Sequence, residues 1–443
     1  MSKRPKRKPL PAEPRQAVIA SLSPEGRGVT HVDGKAVFVF GALPGEQVRF
    51  VYSAMYRDYA EGRVVEVLEA SPLRVEPRCP HFGVCGGCSL QHLAEASQIE
   101  QKQRLLQEQF RRIGKVEPES LFPPLTGPHW GYRHKARLGV KWVAKKNKVL
   151  VGFREQASAF IADLETCPVL HPQVGECLLP LAATVARLTI KDRVPQIEVA
   201  VGEEGAALVF RVLAEPAPAD LELLRSFGTE HGFDVYLQPG GPDSIVPLHP
   251  AEPALLNYRL AELDIDFRFR PTDFTQVNVE INRHMVERVL EILDPQPGDH
   301  VLDLFCGIGN FTLPLARRAG SVVGVEGSRE SVERARMNAH HNGIGNAEFH
   351  VADLAGNTAD LAWARLHYDK VLLDPSRAGA QEVLQQASLW RAARLVYVSC
   401  SPATLARDAG ILVHQHGYRL VGAGVMDMFP HTAHVESIAL FER

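Results

Sequence analysis

The sequence predicts an α/β protein: a doubly wound, mostly parallel sheet in the C-terminal part, preceded by a small β-barrel of the OB type and a mixed α/β central region. Three observations carry this. From about Phe267 onward, short apolar runs alternate with helical patterns, as strand–helix–strand units require. Residues 16–70 instead hold short strands and turn signals with no helical period. The stretch between, 71–265, is mixed, carrying a cysteine–glycine cluster near its start and the linker-like Ala214-Glu-Pro-Ala-Pro-Ala219 further on.

With 443 residues, 45% of them hydrophobic and 23% charged, the chain is long enough for two or three domains with ample cores. No apolar run is long enough to span a bilayer, and no apolar segment of a signal peptide follows the basic N-terminus. The expectation is a cytoplasmic protein, in which seven cysteines serve as metal ligands, nucleophiles or core residues rather than in disulfides. The net charge is −3, yet residues 1–15 concentrate Lys3, Arg4, Lys6, Arg7, Lys8 and Arg15 against Glu13. A basic, disordered tail on a mildly acidic body suits contact with RNA.

In the barrel region, strands are expected at 17–22, 36–40, 47–52 and 62–68, with Asp33-Gly34 as a hairpin turn. Barrels of this type often bind single-stranded nucleic acid, and Arg27, Arg49, Tyr52, Tyr56 and Arg57 are the side chains suited to it.

Next comes Cys79-Pro-His-Phe-Gly-Val-Cys85-Gly-Gly-Cys88. Cysteines spaced this way among glycines pack poorly in a core but ligate well, because a tight turn aims several thiolates at one point. Cys167, followed by proline, is the best fourth ligand; Cys177 sits in an apolar helical pattern and reads as core. Four thiolates suit a [4Fe–4S] cluster or structural zinc, and the wide first spacing favours iron–sulfur.

Residues 93–113 read as one charged amphipathic helix with Ile99, Leu105, Leu106 and Phe110 on a face, able to pack on the C-terminal domain. After the proline-rich joint 122–128, Arg133, Lys135 and Arg137 alternate, so on a strand they share one face as a possible phosphate-binding row.

The C-terminal domain is expected to span 266–443. Its first strand runs into a glycine turn in Val301-Leu-Asp-Leu-Phe-Cys-Gly-Ile-Gly-Asn310, with a helix starting near Phe311. Gly307 and Gly309 let the backbone pass close to a bound molecule. The second strand, Val322-Val-Gly-Val-Glu326, ends in an acid where such sheets grip ribose hydroxyls. Further strands are expected at 347–352, 370–373, 395–399, 419–425 and 437–441, the last antiparallel. Ligands of doubly wound sheets sit beyond the carboxyl ends of the strands, where Phe305, Glu326, Asp353, Asp374 and Cys400 all fall. A dinucleotide fold would normally carry a third glycine in place of Asn310. The loop resembles instead the S-adenosylmethionine (SAM) loop of class I methyltransferases.

Cys400 stands at a strand end with a helix start behind it, a setting that stabilises a thiolate. Asp374-Pro-Ser-Arg377 ends the neighbouring strand, and Glu436 begins the last one, on the same sheet edge if that strand is antiparallel. A thiol and two carboxylates around a methyl donor suit a carbon that must first be activated. C5 of uracil is such a carbon: thiolate addition to C6 makes C5 nucleophilic, and a base must then remove the C5 proton. Cys400 would be the nucleophile, Glu436 the base and Asp374 a hydrogen-bond partner of the uracil edge.

Taken together, the four cysteines, Gln276-Val-Asn278, the glycine loop, Leu373-Asp-Pro-Ser-Arg-Ala-Gly379, Ser399-Cys-Ser-Pro-Ala-Thr404 and Pro430-His-Thr-Ala-His-Val-Glu436 resemble the RNA uracil-C5 methyltransferase family. The resemblance implies SAM contacts by Gln276, Phe305, Asn310, Glu326, Asp353 and Asp374, with Cys400 as nucleophile and Glu436 as base. It implies a [4Fe–4S] cluster on Cys79, Cys85, Cys88 and Cys167, and a barrel similar to a TRAM domain. Having both cluster cysteines and barrel, the chain most resembles a member acting on 23S rRNA. The tRNA-modifying members typically lack the cluster, and the other 23S rRNA member lacks the barrel. A monomer is expected; the alternatives are a different target RNA or a non-catalytic iron–sulfur RNA-binding protein.

Overall fold

The computed structural model describes residues 10, 11 and 13–443. Lys3, Arg4, Lys6, Arg7 and Lys8 of the expected tail lie outside the described residues, and Arg15, assigned to that tail, instead opens the strand Arg15–Val18. The described chain divides into two compact units, one of residues up to 101 with 430–434, the other of 102–429 with 435–443.

In the first unit, six strands form one sheet: Arg15–Val18, Ser21–Leu22, Gly28–Val32, Lys35–Phe40, Gln47–Met55 and Tyr59–Glu69. The first two are halves of one bent segment. Arg15–Val18 pairs with Gln47–Met55, whereas Ser21–Leu22 pairs with Gly28–Val32, and this change of partner closes the sheet on itself. Asp33 and Gly34 both adopt positive φ, making the tight turn expected between Gly28–Val32 and Lys35–Phe40. Ile19, Val37, Val39, Val48 and Phe50 fill the interior. Gly62 is required there, since a Cβ would lie 2.6 Å from the Phe50 ring.

The second unit holds a six-stranded mixed sheet in the order Val246–His249, Asp234–Gln238, Ala206–Arg211, Gln196–Val201, Lys135–Val143, Lys148–Gly152. Two helices, Leu178–Arg187 and Pro218–His231, accompany it, and Cys177 is buried just ahead of the first.

The same unit carries the doubly wound sheet. We label its strands β1 (His300–Leu304), β2 (Ser321–Glu326), β3 (Ala347–Val351), β4 (Lys370–Leu373), β5 (Arg394–Ser399), β6 (Arg419–Met426) and β7 (Glu436–Glu442). Their order is β3-β2-β1-β4-β5-β7-β6, and β7 runs antiparallel to both neighbours. The expectation of seven strands is one short: Ser120–Leu121 adds an eighth, parallel to β6. Phe122, just after it, lies over β6 so closely that a Cβ at Gly422 would come within 2.4 Å of the ring. Gly422 thus exchanges side-chain packing for an aromatic cover.

Helix α1 (Val279–Leu293) begins at Asn278, whose Oδ1 accepts the Ile281 N–H at 3.3 Å, and buries Ile281, Met285, Val286, Val289, Leu290 and Leu293 at helical spacing. The expected 93–113 helix is α-helical over Glu95–Gln109 and finishes as a π-turn over Phe110–Gly114. That turn lies against the helix Pro402–His416, and Gly114 is pressed so near Ala406 that a Cβ would fall 2.3 Å from its carbonyl oxygen. Among the described residues, no helix is long and apolar enough to cross a membrane.

Candidate active site

The carboxyl edge of the doubly wound sheet is the place to build from. Reading across the strands, it presents Asp353 after β3, Glu326 at the end of β2, Phe305 after β1, Asp374 after β4, Cys400 after β5 and Glu436 opening β7. From β2 to β7 is four inter-strand steps, roughly 19 Å at about 4.8 Å each. The edge therefore separates a glycine-loop end from a thiol–carboxylate end, with Asp374 between them.

At the glycine-loop end the backbone is forced. Phe305 has φ +67°, unusual for a bulky aromatic, while its N–H and that of Cys306 both donate to the Val325 carbonyl, at 2.8 and 3.1 Å. Gly307 follows at φ +55° with open space where a Cβ would stand, leaving a cradle for a ligand. Glu326 is tied to this loop: one carboxylate oxygen accepts the Gly307 N–H at 3.2 Å and the other the Ser328 N–H at 3.0 Å. Each oxygen keeps a lone pair for a ribose hydroxyl. Asp353 is exposed, its carboxylate accepting the Ala355 N–H at 3.0 Å, and Gln276 is half-buried just before Asn278.

Asn310 is placed differently from the expectation. Its Oδ1 accepts from the Tyr258 hydroxyl at 2.8 Å and from Asn282 at 3.0 Å, while its Nδ2 donates back to Asn282 at 2.9 Å. The side chain latches the loop to α1 and to the strand Leu256–Leu260. The sequence reading missed Tyr258 and Asn282, since neither sits in a recognisable motif and both act from far away in the chain.

At the other end, Ser399 of β5 pairs with Ser437 of β7, so Cys400 and Glu436 stand side by side one step further along that ladder. Glu436 is only 4% exposed. Burial raises the Cys400 thiol to about 11, and the Glu436 and Asp374 carboxylates add to this while Arg377 opposes it. Glu436 is pushed well above the usual carboxylate range by burial and then by Asp374. Asp374 itself is raised to about 7 by burial and by Glu326. Asp303 is fully buried; Thr312 donates to its Oδ2 at 2.5 Å, while Oδ1 has no partner, and burial above all raises it to about 8. The site thus holds several proton-retaining acids around one thiol, with Arg377 as the cation that offsets them. Such perturbed clusters mark catalytic sites.

A sequence model described as tRNA (Uracil-5-)-methyltransferase matches residues 255–443. A 23S rRNA (uracil(1939)-C(5))-methyltransferase RlmD from Methylococcus capsulatus is 62% identical over 443 residues, covering 100% of both chains. The chain belongs to the RNA uracil-C5 methyltransferase family. A relative of the same name from Alkalilimnicola ehrlichii is 57% identical and covers 99% of this chain and 98% of its own. Among solved structures, the Pyrococcus abyssi tRNA (uracil-54, C5)-methyltransferase in complex with S-adenosyl-L-homocysteine superposes with a TM-score of 0.73 at 26% identity, covering 96% of this chain and 99% of that one. The matched segment of the family model contains every strand of the doubly wound sheet from β1 to β7.

The remaining expected residues lie elsewhere. Arg133, Lys135 and Arg137 do not form a phosphate row. The Lys135 ammonium is turned inward to the Asp273 carbonyl and burial lowers it to about 8; Arg137 pairs with Glu198 at 2.7 Å; and Arg133 donates to the Lys135 carbonyl. On the barrel, Arg27 and Arg49 are held by Glu61 and Glu66, and Tyr52 packs edge-on to Phe50. Tyr56 stacks on Tyr59 with ring centres 4.5 Å apart, beside the exposed Arg57. Cys79, Cys85 and Cys88 are half-buried on turns, and the Gly87 N–H points at the Cys85 sulfur at 3.4 Å; Cys167, in the second unit, is half-buried too. No disulfide joins the seven cysteines, and no three His, Cys, Asp or Glu side chains among the described residues converge as a metal site.

Proposed function

We propose that this chain methylates C5 of a specific uridine in 23S rRNA, with SAM as methyl donor, through a covalent bond between Cys400 and C6 of the uracil. The observation that carries the reading is the juxtaposition of Cys400 and Glu436 across β5 and β7, one strand from Asp374 and two from the glycine loop. Full-length relatives named for this reaction support the choice of RNA.

The target base leaves its stack and enters the carboxyl edge, at an unstacking cost of a few kcal/mol. Cys400 passes its proton to solvent water and the thiolate forms the S–C6 bond, while the C5=C6 electron pair shifts onto C5 and the C4 carbonyl to make C5 enolate-like. Asp374 hydrogen-bonds the uracil edge and holds the ring in this geometry. Bound SAM supplies the methyl group and a positive charge. The cradle at Gly307, with Phe305, Glu326, Asp353 and Gln276, is suited to hold it, and Asn310 acts on it by fixing the loop. Glu436 then takes the C5 proton, the C5=C6 bond re-forms and the Cys400 thiolate leaves. For this, Glu436 must ionise during the cycle; burial above all keeps it protonated, and a cation entering beside Asp374 relieves the repulsion that adds to this.

Cys79, Cys85, Cys88 and Cys167 are proposed to hold a [4Fe–4S] cluster. The donors fit in kind: four half-buried thiols, three of them in the glycine-rich segment 79–88 and one of those already accepting an N–H, as cluster sulfurs do. Its role would be structural or in RNA binding. The barrel, TRAM-like in its closed sheet, would contact RNA through Tyr56 and Arg57. The enzyme would work as a cytoplasmic monomer.

Ribosomal RNA fragments carrying 5-fluorouridine test the reaction. Fluorine at C5 cannot be removed as a proton, so the enzyme should stall as a methylated covalent adduct on a denaturing gel, and Cys400→Ala should abolish it. Transfer of labelled methyl to ordinary RNA with no adduct would show that the thiol has another role.

A further inference from the structure

We propose that a groove on the six-stranded sheet of the second unit binds a single-stranded segment of the substrate RNA outside the methylated uridine, seating a base on Phe160 and the neighbouring phosphates on Lys141 and Arg154. The groove encloses about 630 Å³, enough for a nucleotide. Its floor is apolar, made by Val140, Leu150 and Ile161, and its rim carries Arg137, Lys141, Lys146 and Arg154 against Glu155 and Asp163.

Three features point to RNA. Phe160 is 73% exposed, on a loop closed by the Glu155 N–H donating to the Phe160 carbonyl at 2.9 Å and by the Phe160 N–H donating to Ser158 Oγ at 3.1 Å. A large aromatic held out in water by a closed loop is a stacking platform for a base, whatever its identity. The rim cations differ in commitment: Arg137 is paired with Glu198 and Lys146 leans toward Asp163 at 3.7 Å, but among the described residues none pairs with the side chains of Lys141 or Arg154. Two uncommitted cations beside an exposed ring suit a polyanion carrying aromatic bases better than an acidic peptide.

The groove also connects to the site. Arg133 pairs through its backbone with Asn278, two residues after Gln276, and its guanidinium lies 5.5 Å from the centre of the Phe153 ring. Phe153 and Arg154 line the inner end of the groove, and from there it follows Lys135–Val143 outward. Eight residues from Arg133 to Lys141 cover roughly 26 Å of extended chain, a distance several nucleotides span. The proposal rests on the RNA methyltransferase reading above.

The test uses the full-length protein and a labelled 23S rRNA fragment containing the target uridine, with binding followed by fluorescence anisotropy across salt concentrations and methyl transfer measured in parallel. Lys141→Ala with Arg154→Ala should weaken binding about tenfold and lower the slope of log affinity against log salt by roughly 1–2. Phe160→Ala should weaken it roughly 5- to 100-fold with the slope unchanged. Both variants should keep kcat at saturating RNA and SAM affinity within about twofold of the unaltered protein. Unaltered affinity and slope in both variants, with the parent binding and methylating normally, would overturn the groove assignment and leave the surface to an acidic peptide. A parent protein that neither binds nor methylates the fragment would overturn the reading beneath it.

Discussion

The two edges of the doubly wound sheet carry charges in opposite ways. At the amino edge, Lys370 pairs with Asp299 at 2.9 Å, Arg394 binds Glu442 through Nε at 2.8 Å, and Arg419 binds Glu119 at 2.6 Å. At the carboxyl edge, Asp303 and Glu436 are buried and Asp374 partly so, and burial first, then repulsion from neighbouring acids including Glu326, raises all three. Asp427 sharpens the contrast. It too lies at the carboxyl edge, just after β6, but Lys102 neutralises it at 2.7 Å. Acid raised above its ordinary range is therefore gathered at the strand ends that face the thiol and the glycine loop, with Arg377 offsetting part of the rise at Glu436. A sheet built only for stability would pair these groups as it pairs the others; the energy withheld here is available to a cationic ligand and to proton transfer.

The largest effects should come from the groups that react. Cys400→Ala removes the proposed nucleophile, and methyl transfer should drop to the background of a radiolabel assay. Glu436→Gln leaves addition possible but no base, so turnover should fall by about 10²–10⁴ while a covalent RNA adduct accumulates on ordinary substrate. Fast release of product from Glu436→Gln would remove Glu436 from the mechanism. In stability terms, Lys102→Met should cost about 3–5 kcal/mol by denaturant unfolding, because it strands Asp427 in a site where both partners are at most 2% exposed. A cost near zero would mean that Asp427 takes a proton readily, and the contrast drawn at this edge would lose its internal control.

How much of this the sequence carried depends on range. Strand-end residues were legible because short continuous apolar runs stop abruptly before Asp374 and Cys400, and because an antiparallel last strand must bring Glu436 back to the edge where β5 ends. The two-residue strand Ser120–Leu121 has no period to detect, and only the ring of Phe122 over Gly422 and its Cβ and backbone over Gly424 reveal why β6 tolerates glycines. The positive φ of Phe305 is likewise invisible, since nothing in the residue type asks for it. The side chain of Asn310 is held by Asn282 and Tyr258, 28 and 52 residues away, and pairwise hydrogen bonds at that separation leave no local mark. The Arg133–Lys135–Arg137 alternation misled for the converse reason. A shared face was read properly, yet Glu198 on the next strand and the Asp273 carbonyl occupy two of the three cations.

Asp374 lets the carboxyl edge be titrated directly. Its folded-state value of about 7 lies above the ordinary carboxylate value, so the folded protein gains from holding the proton. That contribution is intact below pH about 4 and is lost as pH rises from there toward 7. Asp374→Asn should delete this loss and make the ligand-free protein more stable than its parent at pH 8, by up to about 4 kcal/mol. The same change removes a negative charge beside the thiol, so the pH profile of Cys400 alkylation should move to lower pH even as methyl transfer falls. An unmoved profile would mean that Asp374 adds nothing to the rise at Cys400, leaving it to burial and Glu436.

The amino edge sets the small end of the scale. The Arg419 side chain is 61% exposed and that of its partner Glu119 is 51% exposed, so their attraction is screened by water and offset by the entropy of holding two long side chains. Arg419→Ala should therefore cost no more than about 1 kcal/mol, shrink further in high salt, and leave the alkylation profile of Cys400 in place. A larger loss, or a shift in that profile, would show that charge at one edge is felt at the other. The paired edge would then belong to the site's electrostatics rather than to the scaffold alone.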